Sequence, residues 1–181
     1  MAELAINPNS RIPALTDVDK NSKEIQIFES GAILEYLVAQ YDKNHKISYP
    51  YNSPEVRRRA GPLYSQLLYP RDPSSLPRLS NHLAASPSGY IISDRVTIAD
   101  IAIWPWVGAY KYSGLLSIDE FPHVKKWLYT LLVCPGFEEG CNAPGPHRYL
   151  NMNDISEEEL NSIAASLGTW IIDAMKRDAE A

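Results

Sequence analysis

A change of hydrophobic period in the stretch IQIFESGAILEYLVAQY, residues 25–41, constrains the fold more than any other feature of the sequence. Ile25 and Ile27 alternate with their neighbours, and this period of two is typical of a strand. From Ser30 onwards the period changes, and the sequence predicts an amphipathic helix with Ser30 as its N-cap. Its apolar residues recur at helical spacing: Ile33, Leu34, Leu37, Val38 and Tyr41.

The flanking residues predict a hairpin before this helix and a linker after it. NPNSRIPAL, residues 7–15, ends in a short apolar run, and the next nine residues have the Asp, Asn and Lys composition of a turn. Residues 42–54 contain two prolines and show no hydrophobic period, which is typical of a linker. We therefore predict a two-domain α+β protein, with residues 1–46 in the first domain and 47–181 in the second.

A capping box marks the centre of the second domain. Thr97 and Asp100 have the spacing at which each side chain accepts an exposed amide of the first helical turn. The residues that follow, 101–110, are apolar on almost every face, so this helix is predicted to be the buried centre of its domain. Residues 70–90 contain several prolines and show no clear pattern.

Three further helix starts are legible in the second domain. Residues 53–54 combine a serine cap with a proline at the first helical position. A second capping box, at Ser156 and Glu159, begins the last predicted helix. Between them, residues 122–133 form a helix with one apolar face: Val124, Trp127, Leu128 and Leu131.

Charge and hydropathy argue against two classes of partner. The 181 residues include 17 Lys and Arg against 22 Asp and Glu, so no overall positive field attracts nucleic acid or anionic lipid. The longest apolar window, residues 98–110, is shorter than the roughly 20 residues that a membrane-spanning helix needs. We therefore expect neither nucleic acid nor a membrane as a partner.

The cysteines and histidines predict neither disulfides nor a metal site. Two cysteines, Cys134 and Cys141, and a polar, turn-rich start of the chain favour a reduced, cytoplasmic setting. Cys134 is expected to be a small buried hydrophobic residue. The four histidines lack metal-ligand spacing with each other or with the cysteines: His45, His82, His123 and His147.

Glu29 and Ser30 stand where the strand gives way to the helix, and two interpretations fit them. A helix N-terminus offers unpaired amides and a partial positive charge, so a ligand carboxylate can bind there with the Ser30 hydroxyl. Glu29 would then hold a neighbouring ammonium, and the pair would match an α-amino acid head group. The alternative is a capping serine beside a solvated glutamate.

The Ile12–Pro13 bond is ambiguous in the same way. A cis bond before the strand would leave the backbone groups of Ile12 free to pair with an extended, peptide-like ligand. The alternative is a trans proline in an ordinary turn, and trans is the commoner isomer.

Four motifs, taken in order, resemble the glutathione S-transferase family: NPNSRIPAL, IFESGAIL, SDRVTIADIAIWPWV and EFPHVKKWLYTLLVCPGF. The likeness runs from about Asn7 to the end of the chain. It is nearest the fungal type, the branch with the transferase-like domain of the yeast nitrogen-regulating prion protein. It implies a partial thioredoxin-like, glutathione-binding domain over residues 1–46 and an all-helical C-terminal domain over 47–181.

The resemblance also implies roles for single residues. Pro13 would be a cis-proline, and the Ile12 backbone would pair with the cysteinyl part of glutathione. Glu29 and Ser30 would hold its γ-glutamyl amino and carboxylate groups, and Arg11 would reach a glutathione carboxylate. The capping box would be structural, because it nucleates the helical domain of the family.

The chain departs from the family pattern in two places. Only six residues precede Asn7, whereas the family opens with a strand, helix and strand that carry the thiol-activating residue. We expect that unit to be missing and assign no catalytic residue. The interval from Ser30 to Thr97 also looks too short for two long helices, and we expect a sheet with an uncovered face and exposed edges.

Three functions remain open at this point. The first is conjugation of glutathione to a hydrophobic electrophile, in detoxification or secondary-metabolite biosynthesis, by a protein that the resemblance expects to be a homodimer. The second is a non-enzymatic glutathione-binding or regulatory module, and the third is a defective product that neither binds nor folds. In the first, three aromatic residues on or near the central helix would mostly be core and only partly a hydrophobic wall for the substrate: Trp104, Trp106 and Tyr110.

Overall fold

The computed structural model describes residues 7–8, 12–55, 75–92, 94–110, 118–143, 145, 156, 158–159 and 161–162. The chain divides into two compact units, residues 1–105 and 106–181. The placing of a domain boundary after residue 46 stays a prediction. In chain order the elements are β1 (Ala14–Val18), β2 (Glu24–Phe28), α1 (Ser30–Tyr41), α2 (Ser75–Ala85), α3 (Ile98–Gly108), α4 (Pro122–Leu132) and α5 (Pro135–Cys141).

The strands β1 and β2 form the predicted antiparallel hairpin, in which Ala14 pairs with Phe28 and Val18 with Glu24. Alternate residues of a strand point to opposite faces, and both strands alternate between exposed and half-buried positions. The half-buried face consists of Leu15, Asp17, Ile25 and Ile27. The other face is exposed at every position, as the sequence predicts for an uncovered sheet.

Asp19 organises the turn between the strands. Its carboxylate accepts the backbone amides of Asn21 and Lys23, each at 2.8 Å. The Asp19 amide donates to the Lys23 carbonyl at 2.9 Å, and Ser22 adopts a φ of 61° in the left-handed region. The predicted polar turn is confirmed, and it fixes the register of the hairpin.

A single carboxylate joins α1 to the hairpin. Asp17 Oδ2 accepts the hydroxyl of Tyr36 at 2.9 Å and that of Tyr41 at 2.6 Å, while Oδ1 accepts the Val18 amide at 2.7 Å. The bond from Tyr41, followed by those from Val18 and Tyr36, lowers the pKa of Asp17 below its ordinary value. Burial and the bond to Asp17 raise the pKa of Tyr36 to about 12.

The helix α1 buries less of its apolar face than its spacing predicts. Ile33 is buried, and Leu34 and Val38 are half-buried, as expected. Leu37 is 36% exposed and Tyr41 65% exposed, so the prediction is wrong for these two residues. Strands lie about 5 Å apart and a helix with its side chains is about 10 Å wide, so a two-stranded sheet cannot cover the whole face.

The predicted capping box is present at the start of α3. The Thr97 hydroxyl accepts the Ala99 amide at 3.3 Å, and Asp100 accepts the Thr97 amide at 2.9 Å. Asp100 is fully buried and also accepts the amide of Ile91 at 3.1 Å, nine residues earlier in the chain. The box therefore anchors a loop as well as a helix. Four residues of α3 are buried as predicted: Ile98, Ala99, Ile103 and Trp104. Pro105 and Trp106 are exposed, so the prediction of a buried helix is wrong at these two positions.

The helix α2 lies within residues 70–90, where the sequence showed no clear pattern. The prolines of this segment suggested that it contains no helix. Pro77, however, lies in the first turn of α2, where a backbone amide has no helical partner in any case. Leu79 and Leu83 are buried. His82 Nε2 lies 2.7 Å from the Ile91 carbonyl oxygen and fastens α2 to the loop that Asp100 anchors.

In the unit of residues 106–181, α4 buries the predicted apolar face: Val124, Trp127, Leu128 and Leu131. The helix α5 was not predicted, although Pro135 at its first position is a start signal. Cys134 is the N-cap of α5 and its thiol lies 3.6 Å from the Thr130 carbonyl oxygen. Cys134 is only half-buried, so its prediction as a buried residue is wrong, because it lies in the connection between two helices.

Two other predicted helix starts are confirmed only at their first residues. Pro54 and Glu55 are helical. Ser156 Oγ accepts the Glu159 amide at 3.3 Å, and residues 158–159 are helical. The remainder of both helices lies outside the residues that the structure describes.

We expect Asp17→Asn to destabilise the fold most between about pH 4 and about pH 10. Because the pKa of Asp17 is lowered on folding, the ionised carboxylate stabilises the folded state above about pH 4. This stabilisation is lost as the pH falls through the lowered pKa. Because the pKa of Tyr36 is raised on folding, its protonated hydroxyl stabilises the folded state below about pH 10. This stabilisation is lost as the pH rises through about 12. Urea unfolding midpoints across this pH range measure both effects.

Glu24→Gln is the matched control, because Glu24 is an acidic residue of the neighbouring strand whose carboxylate bonds to Gln26 on the exposed face. Its unfolding midpoint is expected to follow that of the wild type at every pH. An Asp17→Asn midpoint displaced by the same amount at all pH values would contradict the roles of Tyr36 and Tyr41.

We expect Asp100→Ala to lower the free energy of unfolding by about 3 kcal/mol or more, because two buried amides lose their acceptor. The Thr97 hydroxyl accepts the Ala99 amide and also donates to Asp100 Oδ2 at 3.1 Å. Thr97→Ala removes both bonds but leaves the Asp100 carboxylate in place for the two amides, and it is expected to cost about 1–2 kcal/mol. Denaturant titrations of the two variants give both values. A smaller loss for Asp100→Ala than for Thr97→Ala would mean that the Ile91 loop does not depend on the carboxylate.

Candidate functional site

The register of the hairpin brings the two predicted ligand motifs to one end of it. Ala14 pairs with Phe28, so Pro13 and Glu29 are the next residues on each strand. Facing residues of antiparallel strands have Cα atoms about 5 Å apart. Ile12–Pro13 and Glu29–Ser30 therefore belong to a single site, which we call the hairpin-end site.

On the first strand, the Ile12–Pro13 peptide bond is cis, as the resemblance implies. The Ile12 residue is 84% exposed. Within the described part of the chain, its amide and carbonyl have no hydrogen-bond partner. Ile12 thus presents free backbone groups that can pair with an extended ligand in the way that an added strand would.

On the second strand, Glu29 has a strained backbone. Its φ of 72° and ψ of 121° lie in a region that residues with a Cβ rarely adopt. Such a conformation costs of order 1–3 kcal/mol and persists where the surroundings impose it, which is common at ligand sites. Glu29 is exposed, and no hydrogen bond to its carboxylate exists among the described residues.

Ser30 is the first helical residue of α1, so its prediction as the N-cap is wrong. The Ile33 amide donates to the Glu29 carbonyl at 3.0 Å, and this first intrahelical bond makes Glu29 the N-cap. The Ser30 hydroxyl is exposed and bonds to none of the described residues. It stands beside the first-turn amides, whose partial positive charge favours an anion.

The hairpin-end site combines three recognition elements at one end of the hairpin. The Ile12 backbone can pair with a peptide group, the Ser30 end of α1 can receive a carboxylate, and Glu29 can hold an ammonium. A ligand with an α-amino acid head group followed by an extended peptide portion satisfies all three. Arg11, the remaining predicted binding residue, lies outside the residues that the structure describes.

Sequence reasoning missed the contact that supports this site. Asp17, Tyr36 and Tyr41 hold α1 against the strand that begins after Pro13, and their bonds link residues 19 and 24 positions apart. A charged residue on the half-buried side of β1 was the available signal, because an inward carboxylate requires partners.

The described residues contain no group of three or more His, Cys, Asp or Glu side chains that could hold a metal ion. In the same part of the chain, every helix is too short or too polar to cross a membrane. Of the aromatic residues predicted as core, Trp104 and Tyr110 are buried as expected. Trp106 is 53% exposed, so the prediction is wrong for it.

Comparison with known proteins gives consistent matches. Residues 73–128 match the family of glutathione S-transferase C-terminal domains. The glutathione S-transferase-like protein tpcF of Aspergillus fumigatus is 30% identical over 174 aligned positions, which cover 76% of this chain and 76% of that protein. Protein URE2 of Saccharomyces bayanus is 26% identical over 191 positions, covering 73% of this chain and 55% of that protein.

A solved structure supports the fold of both parts. The glutathione transferase URE2P6 from Phanerochaete chrysosporium, determined in complex with oxidised glutathione, aligns with a TM-score of 0.59 at 30% identity. The alignment covers 75% of this chain and 74% of that one. The fold is the predicted α+β one, with a partial thioredoxin-like N-terminal part followed by an all-helical transferase domain. This chain belongs to the glutathione S-transferase family, as its four motifs predict.

We expect Glu29→Gly to stabilise the protein by about 0.5–1 kcal/mol. Glycine adopts positive φ without strain, and this gain exceeds its greater loss of backbone entropy on folding. Glu29→Ala is the matched control, since it removes the carboxylate but keeps the Cβ that causes the strain. Denaturant unfolding of both variants measures the difference, and equal stabilities would contradict the strain.

Proposed function

We propose that the hairpin-end site binds glutathione and that the protein conjugates it to a hydrophobic electrophile. The observation that carries this proposal is the convergence of the Ile12–Pro13 bond, the Glu29 carboxylate and the first turn of α1 at one end of the hairpin. The URE2P6 structure, which holds oxidised glutathione, supports the choice of ligand.

In the proposed complex, each part of the site meets one part of glutathione. The Glu29 carboxylate holds the γ-glutamyl ammonium, and the Ser30 hydroxyl and first-turn amides receive the γ-glutamyl carboxylate. The Ile12 backbone pairs with the cysteinyl unit. Arg11 remains a proposed partner of a glutathione carboxylate.

The proposed reaction is attack of the glutathione sulfur on an electrophilic carbon. The thiol loses its proton, the thiolate forms a carbon–sulfur bond, and the electrophile releases a leaving group or gains a proton. The described residues bind and orient glutathione in this scheme, and the thiol-activating group stays unassigned. Detoxification and secondary-metabolite biosynthesis are the two proposed settings.

A non-enzymatic glutathione-binding or regulatory module is the second candidate. The hairpin-end site favours it to the same degree, because Glu29 and Ser30 recognise the γ-glutamyl group, which takes no part in the chemistry. Binding and turnover therefore require separate assays.

Location and assembly are also proposals. Cys134 and Cys141 are free thiols, which is compatible with a reducing, cytoplasmic setting. A homodimer is proposed from the family resemblance alone. Sedimentation that shows a strict monomer at working concentrations would contradict it.

We expect Glu29→Gln to weaken glutathione binding by about tenfold to a hundredfold, because a charge-assisted hydrogen bond is lost. Ser30→Ala removes a neutral hydrogen bond and should weaken it by about fivefold. Calorimetric titration with glutathione gives both dissociation constants. Conjugation of a reactive aromatic chloride, assayed beside it, distinguishes an enzyme from a binding module.

Glu35→Gln is the control variant, since it removes a carboxylate from the same helix away from its first turn. Its affinity for glutathione should equal that of the wild type. A folded wild-type protein that does not bind glutathione would refute the proposed function. Binding that Glu29→Gln leaves unchanged would place the ligand elsewhere.

A further inference from the structure

The segment that follows α1, residues 42–53, is held in place by Asp42 at its first position. We call this segment the connector. Asp42 Oδ1 accepts the Lys46 amide at 2.7 Å, and Oδ2 accepts the Ile47 amide at 3.0 Å and the Ser48 hydroxyl at 2.7 Å. Burial raises the pKa of Asp42, but these bonds outweigh it and lower the pKa below its ordinary value.

Arg95 also binds the connector, through two of its backbone carbonyls. Its Nη2 donates to the carbonyl oxygens of His45 at 3.0 Å and Ser48 at 3.1 Å. The guanidinium lies over the Tyr49 ring, 4.1 Å from the ring centroid. A lysine at this position could not make both interactions, because its ammonium lacks the planar guanidinium that donates these hydrogen bonds while it stacks on the ring.

The surroundings of Arg95 fix its orientation. Asp94 Oδ1 accepts Arg95 Nη1 at 3.1 Å and the Tyr49 hydroxyl at 2.8 Å, which closes a ring of three side chains. Arg95 Nε is buried and has no hydrogen-bond partner within the described part of the chain. The Arg95 side chain as a whole is 37% exposed, so the guanidinium is only partly withdrawn from water.

The connector adjoins the C-terminal end of α1, opposite to the end that carries Glu29 and Ser30, and it is hydrogen-bonded to the start of α3. The Asp42 amide donates to the Val38 carbonyl at 3.1 Å and so extends the last turn of α1. The Ile98 amide, at the first residue of α3, donates to the Ile47 carbonyl at 3.0 Å. Displacement of the connector would therefore reach α1 directly, and a helix of this length transmits it over about 18 Å.

We propose that Arg95 is a positioning residue for α1, and through α1 for Glu29 and Ser30. Arg95 fixes the connector carbonyls and Asp42 fixes its amides and a hydroxyl, so the C-terminal end of α1 has one position relative to the start of α3. The expected effect of Arg95 on glutathione binding rests on the proposed function. Its expected effect on the position of α1 does not depend on that function.

Hydrogen exchange and glutathione titration of Arg95→Met test the proposal. Methionine keeps an unbranched apolar side chain and removes the bonds to His45 and Ser48. Exchange at the amides of α1 and of residues 42–49 is expected to rise at least about threefold. The dissociation constant for glutathione is expected to rise about threefold or more.

Two further variants separate positioning from general damage. Lys46→Met removes a cation from the same connector, where its side chain is exposed and makes no bond to the described residues, and should match the wild type. Arg95→Met in a Ser30→Ala background should weaken glutathione binding less than it does alone, since coupled residues are not additive. Full additivity would contradict action through α1.

The outcomes distinguish this proposal from the proposed function. If the wild type does not bind glutathione, the proposed function is wrong, and exchange at α1 alone decides the role of Arg95. If Arg95→Met exchanges faster in residues 42–49 while α1 matches the wild type, the positioning role is overturned. Faster exchange in both segments supports it.

Discussion

The N-terminal half depends on the Asp17 carboxylate more than on any other group. Two strands have little stability alone, and the half-buried face of the hairpin offers only three apolar side chains to α1. Apolar contacts are not directional, whereas two tyrosine hydroxyls on one carboxylate fix the rotation of α1 about its axis. That rotation sets where the first turn of α1, with Glu29 and Ser30, faces.

The elements that could be predicted from the sequence are those whose signal is local. Three such signals lie in short stretches of sequence, and each is confirmed. They are the change of hydrophobic period within residues 25–41, the Thr97 capping box and the apolar face of α4. The helix α2 was missed because Pro77 looks like a breaker unless its place in the first turn is known. The exposure of Leu37 depends on the width of the sheet beneath it, which no local pattern reports.

The candidate site shows the same division. The residue types at Glu29 and Ser30 indicate amino acid recognition from the sequence, but their meeting with Ile12 depends on the hairpin register. The base rate favours a trans Ile12–Pro13 bond, so only the family resemblance indicated the cis form. Arg95 gave no sequence signal, because its partners are backbone carbonyls 47 and 50 positions away.

The left-handed backbone of Glu29 has a practical consequence for protein engineering. A library screened for thermal stability or soluble yield rewards any change that relieves strain, and position 29 is one of three described non-glycine positions with positive φ. Such a screen would enrich variants that fold better and have lost the carboxylate of the candidate site. Selections on this protein therefore need a ligand-dependent step, or position 29 held constant.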